Sequence, residues 1–337
     1  MAETLTFQKV LDHLLDSKKD IPRGHLQHYS DLDPKSLRLF SDVWSSVKPD
    51  RKLLLLDQLV TYLDEDTIAN FESIGSALLD DIDGEVRSRA IQLLAESNDP
   101  NLVDRLTSIL LNDTELAPRI EAAHLLGEFI VLGELEELKE ELQRKAENAL
   151  LAVIRSEDDA TLRKFALEAV GYSSRPDIAT TVIESAFKRV DPTWVASALR
   201  AMGRSHDDRW NEDVVSMLLD DEPRIRFAAV EAAGELSIES AGPILLQILE
   251  EEEEDDDVVA AAIWSLSQIG GDDARIYLVN LIEKTEDEDV VEFLEDALIN
   301  LDFLQELNKF DLLSLDDLEE MDEIDEDESS EEVDEDK

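Results

Sequence analysis

EPRIRFAAVEAAGE, residues 222–235, is one copy of a pattern that returns about every 32 residues. An acid, an aliphatic residue, often Arg, then Ala and often Gly recur in register. Aligning on the Ala gives Ala90, Ala122, Ala166, Ala198, Ala229 and Ala262, with Leu294 in a seventh copy. The steps are 32, 44, 32, 31, 33 and 32 residues, so one copy carries an insertion of about twelve. Seven positions earlier every copy has an acid: Asp83, Glu115, Asp159, Asp191, Glu222, Asp255 and Asp287. Three earlier stand Arg87, Arg119, Arg163 and Arg226, with Val195, Val259 and Val291 as exceptions, and five later Gly127, Gly171, Gly203 and Gly234. A period in this range belongs to a solenoid of stacked helical repeats.

Each column has a physical task. The acid suits an N-cap, accepting from free N–H groups of the first helical turn and favoured there by the helix dipole. Asp191-Pro192 and Glu222-Pro223 support this, since Pro is preferred at the first helical position. Offsets −4, 0, +3 and +4 from the Ala fall on one side of a helix, as in Val86, Ala90, Leu93 and Leu94. A central Ala lets the next helix approach closely. The Arg stands at the edge of that stripe, placed to pair with an acid of an adjacent turn.

The acid-x-x-aliphatic-Arg-x-x-Ala signature, from Asp50 to Leu301, resembles the second helix of the HEAT-repeat family, and it is similar to the HEAT-like repeats of phycobilin lyases. The resemblance implies a right-handed α-solenoid, with signature helices on the concave face and intervening helices outside. It also implies a scaffold or adaptor, since few members of the family are enzymes. An enzyme or chaperone of the phycobilin-lyase kind is the alternative.

Composition agrees with an all-α chain. Of 337 residues 43% are hydrophobic but only 5% aromatic, and there are 11 Gly and 9 Pro. The formal net charge is −52, which opposes direct contact with nucleic acid or an anionic membrane and favours basic protein partners. The charge is uneven. Residues 159–210 carry 7 acids and 8 bases, whereas residues 211–310 carry 28 and 5. The acidity also admits an environmental reading, as in proteins adapted to high salt, but the local runs of acids argue against it. Without Cys there is no disulfide or thiolate site. No signal peptide or membrane span is evident, so a cytoplasmic monomer is expected.

In chain order, residues 1–47 read as an N-terminal helical cap with a connector from Asp20 to Ser30. Residues 48–310 form the repeats, beginning with a degenerate copy at Asp50 to Tyr62. The insertion predicts a long exposed helix across Glu134 to Arg144, with Glu141 and Lys145 paired at i, i+4. The eight acids from Glu250 to Asp257 predict a solvated loop. Residues 311–337, with 16 acids and one base, predict a largely disordered acidic tail. Its Leu-rich part, 312–324, reads either as a binding segment or as a last helix closing the repeats.

Catalytic signals are weak. His25-x-x-His28 could chelate but has no fixed third ligand. No phosphate loop or nucleophile motif occurs, and among 83 acids chance pairs carry no weight. No cofactor or metal is expected. The candidate partner-binding residues come from offsets −2 and +2, which point away from the Ala at about 160° and 200°. Most residues there are polar or small. Phe227 and Trp264 break the rule in consecutive copies, with Lys164 and Arg200 in the low-charge middle. Aromatic and Arg residues dominate binding energy at interfaces, so Lys164, Arg200, Phe227 and Trp264 form the candidate patch. The alternative is that curvature buries both rings against neighbouring helices.

Overall fold

A computed structural model describes residues 5–16, 18–250 and 255–307. The described residues are helical and contain no strand. They fall into two compact units, divided between Ser185 and Ala186. The expected acidic tail at 311–337 lies outside the described residues, as do residues 251–254 of the acidic run. Around that gap Glu250 ends one helix, and Asp255 caps the next, which begins at Asp256.

In the first unit α1 (Phe7–Leu15), α2 (Pro34–Trp44) and α3 (Pro49–Glu65) precede the regular copies. The expected connector is in part a 3-10 helix, Arg23–Tyr29, because Leu26 and Tyr29 are buried and hold it down. Tyr29 lies edge-on to Phe7 and Phe40. Arg51 of α3 is buried and donates to the carbonyls of His13 and Leu14, at the C-terminal end of α1, and to that of Lys19 beyond it. A cation is favoured at that end of a helix. Next come α4 (Glu72–Leu78), α5 (Gly84–Gln92), α6 (Leu102–Asn112), α7 (Leu116–Glu134), α8 (Glu140–Arg155), α9 (Ala160–Val170) and α10 (Pro176–Ile178), the last followed by a π turn, Ala179–Ile183. The signature helices α3, α5, α7 and α9 each pack on the next, and the intervening helices pack beside them.

After a short α11 (Glu184–Phe187), the second unit contains α12 (Pro192–Arg204), α13 (Asn211–Met217), α14 (Pro223–Glu235), α15 (Gly242–Glu250), α16 (Asp256–Ile269) and α17 (Asp272–Lys284). A further helix, α18, occupies 288–307. Here α12 packs on α14 and α14 on α16. Gly270 and Gly271, both at positive φ, make the turn into α17.

The Ala column is the core. Ala90, Ala122, Ala166, Ala198, Ala229, Ala262 and Leu294 all have 0% exposure. The Gly column has a related cause: Gly127 lies inside α7, and Gly203 and Gly234 lie in the last turns of α12 and α14, each close to the next signature helix. A Cβ on Gly234 would come within 2.9 Å of Ser265 Cα, on the next signature helix. The bare backbone admits that helix.

The acid column divides by side-chain length. Asp83, Asp159, Asp191 and Asp255 accept N–H bonds from their first turns, and Asp287 does the same. Glu115 and Glu222 stand at the same position without a cap bond, the extra methylene carrying the carboxylate past the free amides. Glu115 instead accepts from the Gly84 N–H of the preceding copy. Asp191→Ala is therefore expected to lower stability by about 0.5–2 kcal/mol, and Glu222→Asp to raise it by up to about 1 kcal/mol. Urea denaturation of the variants checks both signs.

A second set of acids, one or two residues earlier, holds the Arg ladder. Arg87 makes two bonds to Asp113, at 2.7 and 2.6 Å, and Arg119 pairs with Asp158. Burial raises the Asp113 carboxyl, but bonds from Arg87 and the Glu115 N–H outweigh it and leave it below the ordinary carboxylate range. Asp81 behaves alike, burial being outweighed by the Asp83 N–H, the Trp44 indole and Lys52. Asp158 is lowered chiefly by Arg119. Arg163 and Arg226 donate to backbone carbonyls, as Arg87 and Arg119 also do.

The insertion differs from expectation. No single helix crosses Glu134 to Arg144: α7 ends at Glu134, and α8 begins at Glu140. Glu136 takes φ 63° and Leu138 is buried, so the chain reverses and seats a leucine. The extra residues lengthen both helices, to 19 and 16 residues. Arg144 pairs with Glu140, and Lys145 reaches Asp104 of α6 at 2.6 Å rather than Glu141.

Candidate functional site

The outward positions of the signature helices were expected to form one exposed line. Three of them, Ser88, Glu168 and Ala196, are buried instead. The reason is the number of neighbours: α14, for example, packs on α12, α13 and α16, which leaves a narrow open arc. Within the second unit that arc carries Arg200 on α12, Phe227 on α14 and Trp264 on α16. Lys164, the fourth expected residue, is half-buried on α9 of the first unit.

Trp264 is 40% exposed, whereas Trp44, Trp194 and Trp210 are all buried. Its ring stacks at 6.4 Å and 26° on Phe293 of α18. Arg200 stands over the Phe227 ring at 5.7 Å, and its Nε donates to Glu231 at 3.1 Å. Between α14, α16 and α18 runs a groove of about 500 Å³. Phe227, Trp264 and Phe293 supply its aromatic surface, and Glu231, Glu235 and Asp257 line it with carboxylates.

Phe293 escaped the reading of the sequence because it is one residue before the core position of its copy. A cross-repeat rule would have found it: offset +2 of one copy meets offset −1 of the next. Gln92 donates to Glu121 at 2.8 Å, and His124 lies edge-on to Phe165 at 4.8 Å. Trp264 and Phe293 follow the same rule.

The arrangement can grip an extended polypeptide by ring contact and by charge. Ser265, the hydroxyl among its lining residues, donates to the Val230 carbonyl at 2.8 Å. Among the described residues there is no group of three or more His, Asp or Glu placed to hold a metal ion. His25 lies edge-on to His13 at 4.9 Å, and burial together with the charges of His13 and His28 lowers its pKa. No described helix is long and apolar enough to cross a membrane.

Residues 182–256 and 211–299 each match the family model for HEAT repeats. The whole groove, from Phe227 to Phe293, lies inside the matched residues. Among solved structures, the chain is similar to the complex of CpcE and CpcF of phycocyanin lyase from Nostoc sp. PCC7120. That match has 19% identity and a TM-score of 0.44, covering 68% of this chain and 94% of the other. It is also similar to YibA from Escherichia coli, at 13% identity and TM-score 0.39, over 90% and 98% of the two chains. Importin beta matches at 12% identity and TM-score 0.45, over 88% of this chain and 46% of that one. Among curated proteins none matches.

Proposed function

We propose that this chain is a non-catalytic protein-interaction scaffold of the cytoplasm, docking a segment of a partner protein in the groove beside Phe227, Trp264 and Phe293. The observation that carries the reading is the exposure of Trp264. A large ring left open above an acid-lined groove, when the other three Trp are buried, is the kind of anchor that supplies binding energy at interfaces. Arg200 flanks the groove through Phe227 and Glu231. Lys164 is not among the groove's lining residues. The acidic residues 311–337 add a field that draws basic partners toward the protein and modulates their docking.

Trp264→Ala combined with Phe227→Ala tests the reading. Truncating anchor aromatics is expected to lower partner affinity by about 2 kcal/mol or more, roughly 30-fold. Proteins co-purified with the full chain and with the double variant are compared, alongside thermal melting of both. Loss of partners at a nearly unchanged melting temperature supports the groove. Unchanged capture with a sharply lowered melting temperature assigns the two rings to packing.

A further inference from the structure

Arg200 shows how this face holds a guanidinium. An aromatic ring, Phe227, lies beneath it, and a carboxylate, Glu231, accepts from its Nε. A planar guanidinium suits such a site, since its flat face rests on a ring while its N–H groups stay in plane for a carboxylate. The groove offers the same kinds of group at other positions. Trp264 supplies a larger ring, backed by Phe293, and Glu235 and Asp257 supply carboxylates beside Glu231, which already accepts from Arg200. No Lys or Arg is among the lining residues. The surrounding sequence, with 28 acids and 5 bases over 211–310, gives a field that favours an incoming cation.

We infer that the groove receives the arginine side chain of a protein segment, its guanidinium on Trp264 and within reach of the groove's carboxylates, with an adjacent apolar residue covering Phe293. The inference rests on the scaffold reading and names the partner's chemistry. Lysine fits less well. Its ammonium is compact, strongly hydrated and without a flat face, so it gains less from the ring and cannot make the paired in-plane bonds.

The experiment uses the full chain at about 150 mM salt, where the long-range field of the acids is screened beyond roughly 8 Å. The probes are the acetylated and amidated peptide Gly-Ser-Leu-Arg-Leu-Ser-Gly and two relatives with Lys or citrulline in place of Arg. The readout is the Trp264 indole N–H resonance, assigned by its loss in Trp264→Phe. The Arg peptide is expected to shift this signal at a concentration roughly two- to fivefold lower than the Lys peptide, with citrulline the weakest. Asp257→Asn is expected to weaken the Arg peptide and leave the citrulline peptide unaffected. Equal responses to Arg and Lys, or a response in which the Trp264 signal does not move, overturn the inference and leave only general attraction to an acidic protein. Should the Trp264 and Phe227 double variant still lose its partners in that case, the scaffold reading stands without the arginine. Should the peptides discriminate while the double variant keeps its partners, the groove binds arginine and the scaffold docks elsewhere.

Discussion

Asp113→Ala is expected to lower stability by about 3 kcal/mol, near the lower end of the range for breaking a buried ion pair. The two side chains are only 12% and 7% exposed for Arg87 and Asp113, so removing the carboxylate leaves a guanidinium that water reaches poorly. Asp113 also accepts from the Glu115 N–H, which loses its partner at the same time. Asp80→Ala is the control: its pair with Arg105 is open to solvent and is expected to contribute at most about 1 kcal/mol. Chemical denaturation of the two variants decides between a ladder that stabilises and one that only decorates.

The same carboxylates set the response to acid. Asp81, Asp113 and Asp158 all have lower pKa values in the folded protein than ordinary carboxylates. Between the folded and unfolded values the unfolded chain binds more protons, so protonation favours unfolding. Their stabilisation is complete above the ordinary range near about 4 and is lost as pH falls through the lowered folded values. Melting temperature should therefore drop steeply on acidification below about pH 4, and less steeply in Asp113→Ala, which has one such carboxylate fewer.

The core was legible in the sequence because a repeat states its packing many times. Seven positions in one column, all fully buried, leave little room for another register. The cap column was legible in type but not in detail: Asp and Glu look alike in a charge pattern, while one methylene decides whether the carboxylate meets the first-turn amides. The reversal after Glu134 was hidden for a different reason. Its positive-φ residue is Glu136, not a Gly or Asn, and its anchor is the single buried Leu138. In the candidate site, Trp264 and Phe227 could be read as aromatics out of place. Phe293 could not, since its role depends on which residue of the preceding copy it meets. Lys164 was grouped with them by low local charge, and charge along a chain says nothing about which faces come together.

Ala229→Leu is expected to destabilise by about 1–3 kcal/mol through overpacking. Ala229 has no exposed surface, and α14 is held on three sides by α12, α13 and α16. One turn and a half along, at Gly234, even a single added carbon would press on the backbone of the next signature helix. A leucine therefore finds no space that a rotamer change can open, and its extra apolar surface cannot offset the separation of two helices. Ala260→Leu is the matching test of place rather than chemistry, because Ala260 is exposed on the groove side of α16. Its effect should stay within about 0.5 kcal/mol. Equal melting curves for Ala229→Leu and the parent protein would show that the signature helices are spaced by something other than the small residue between them.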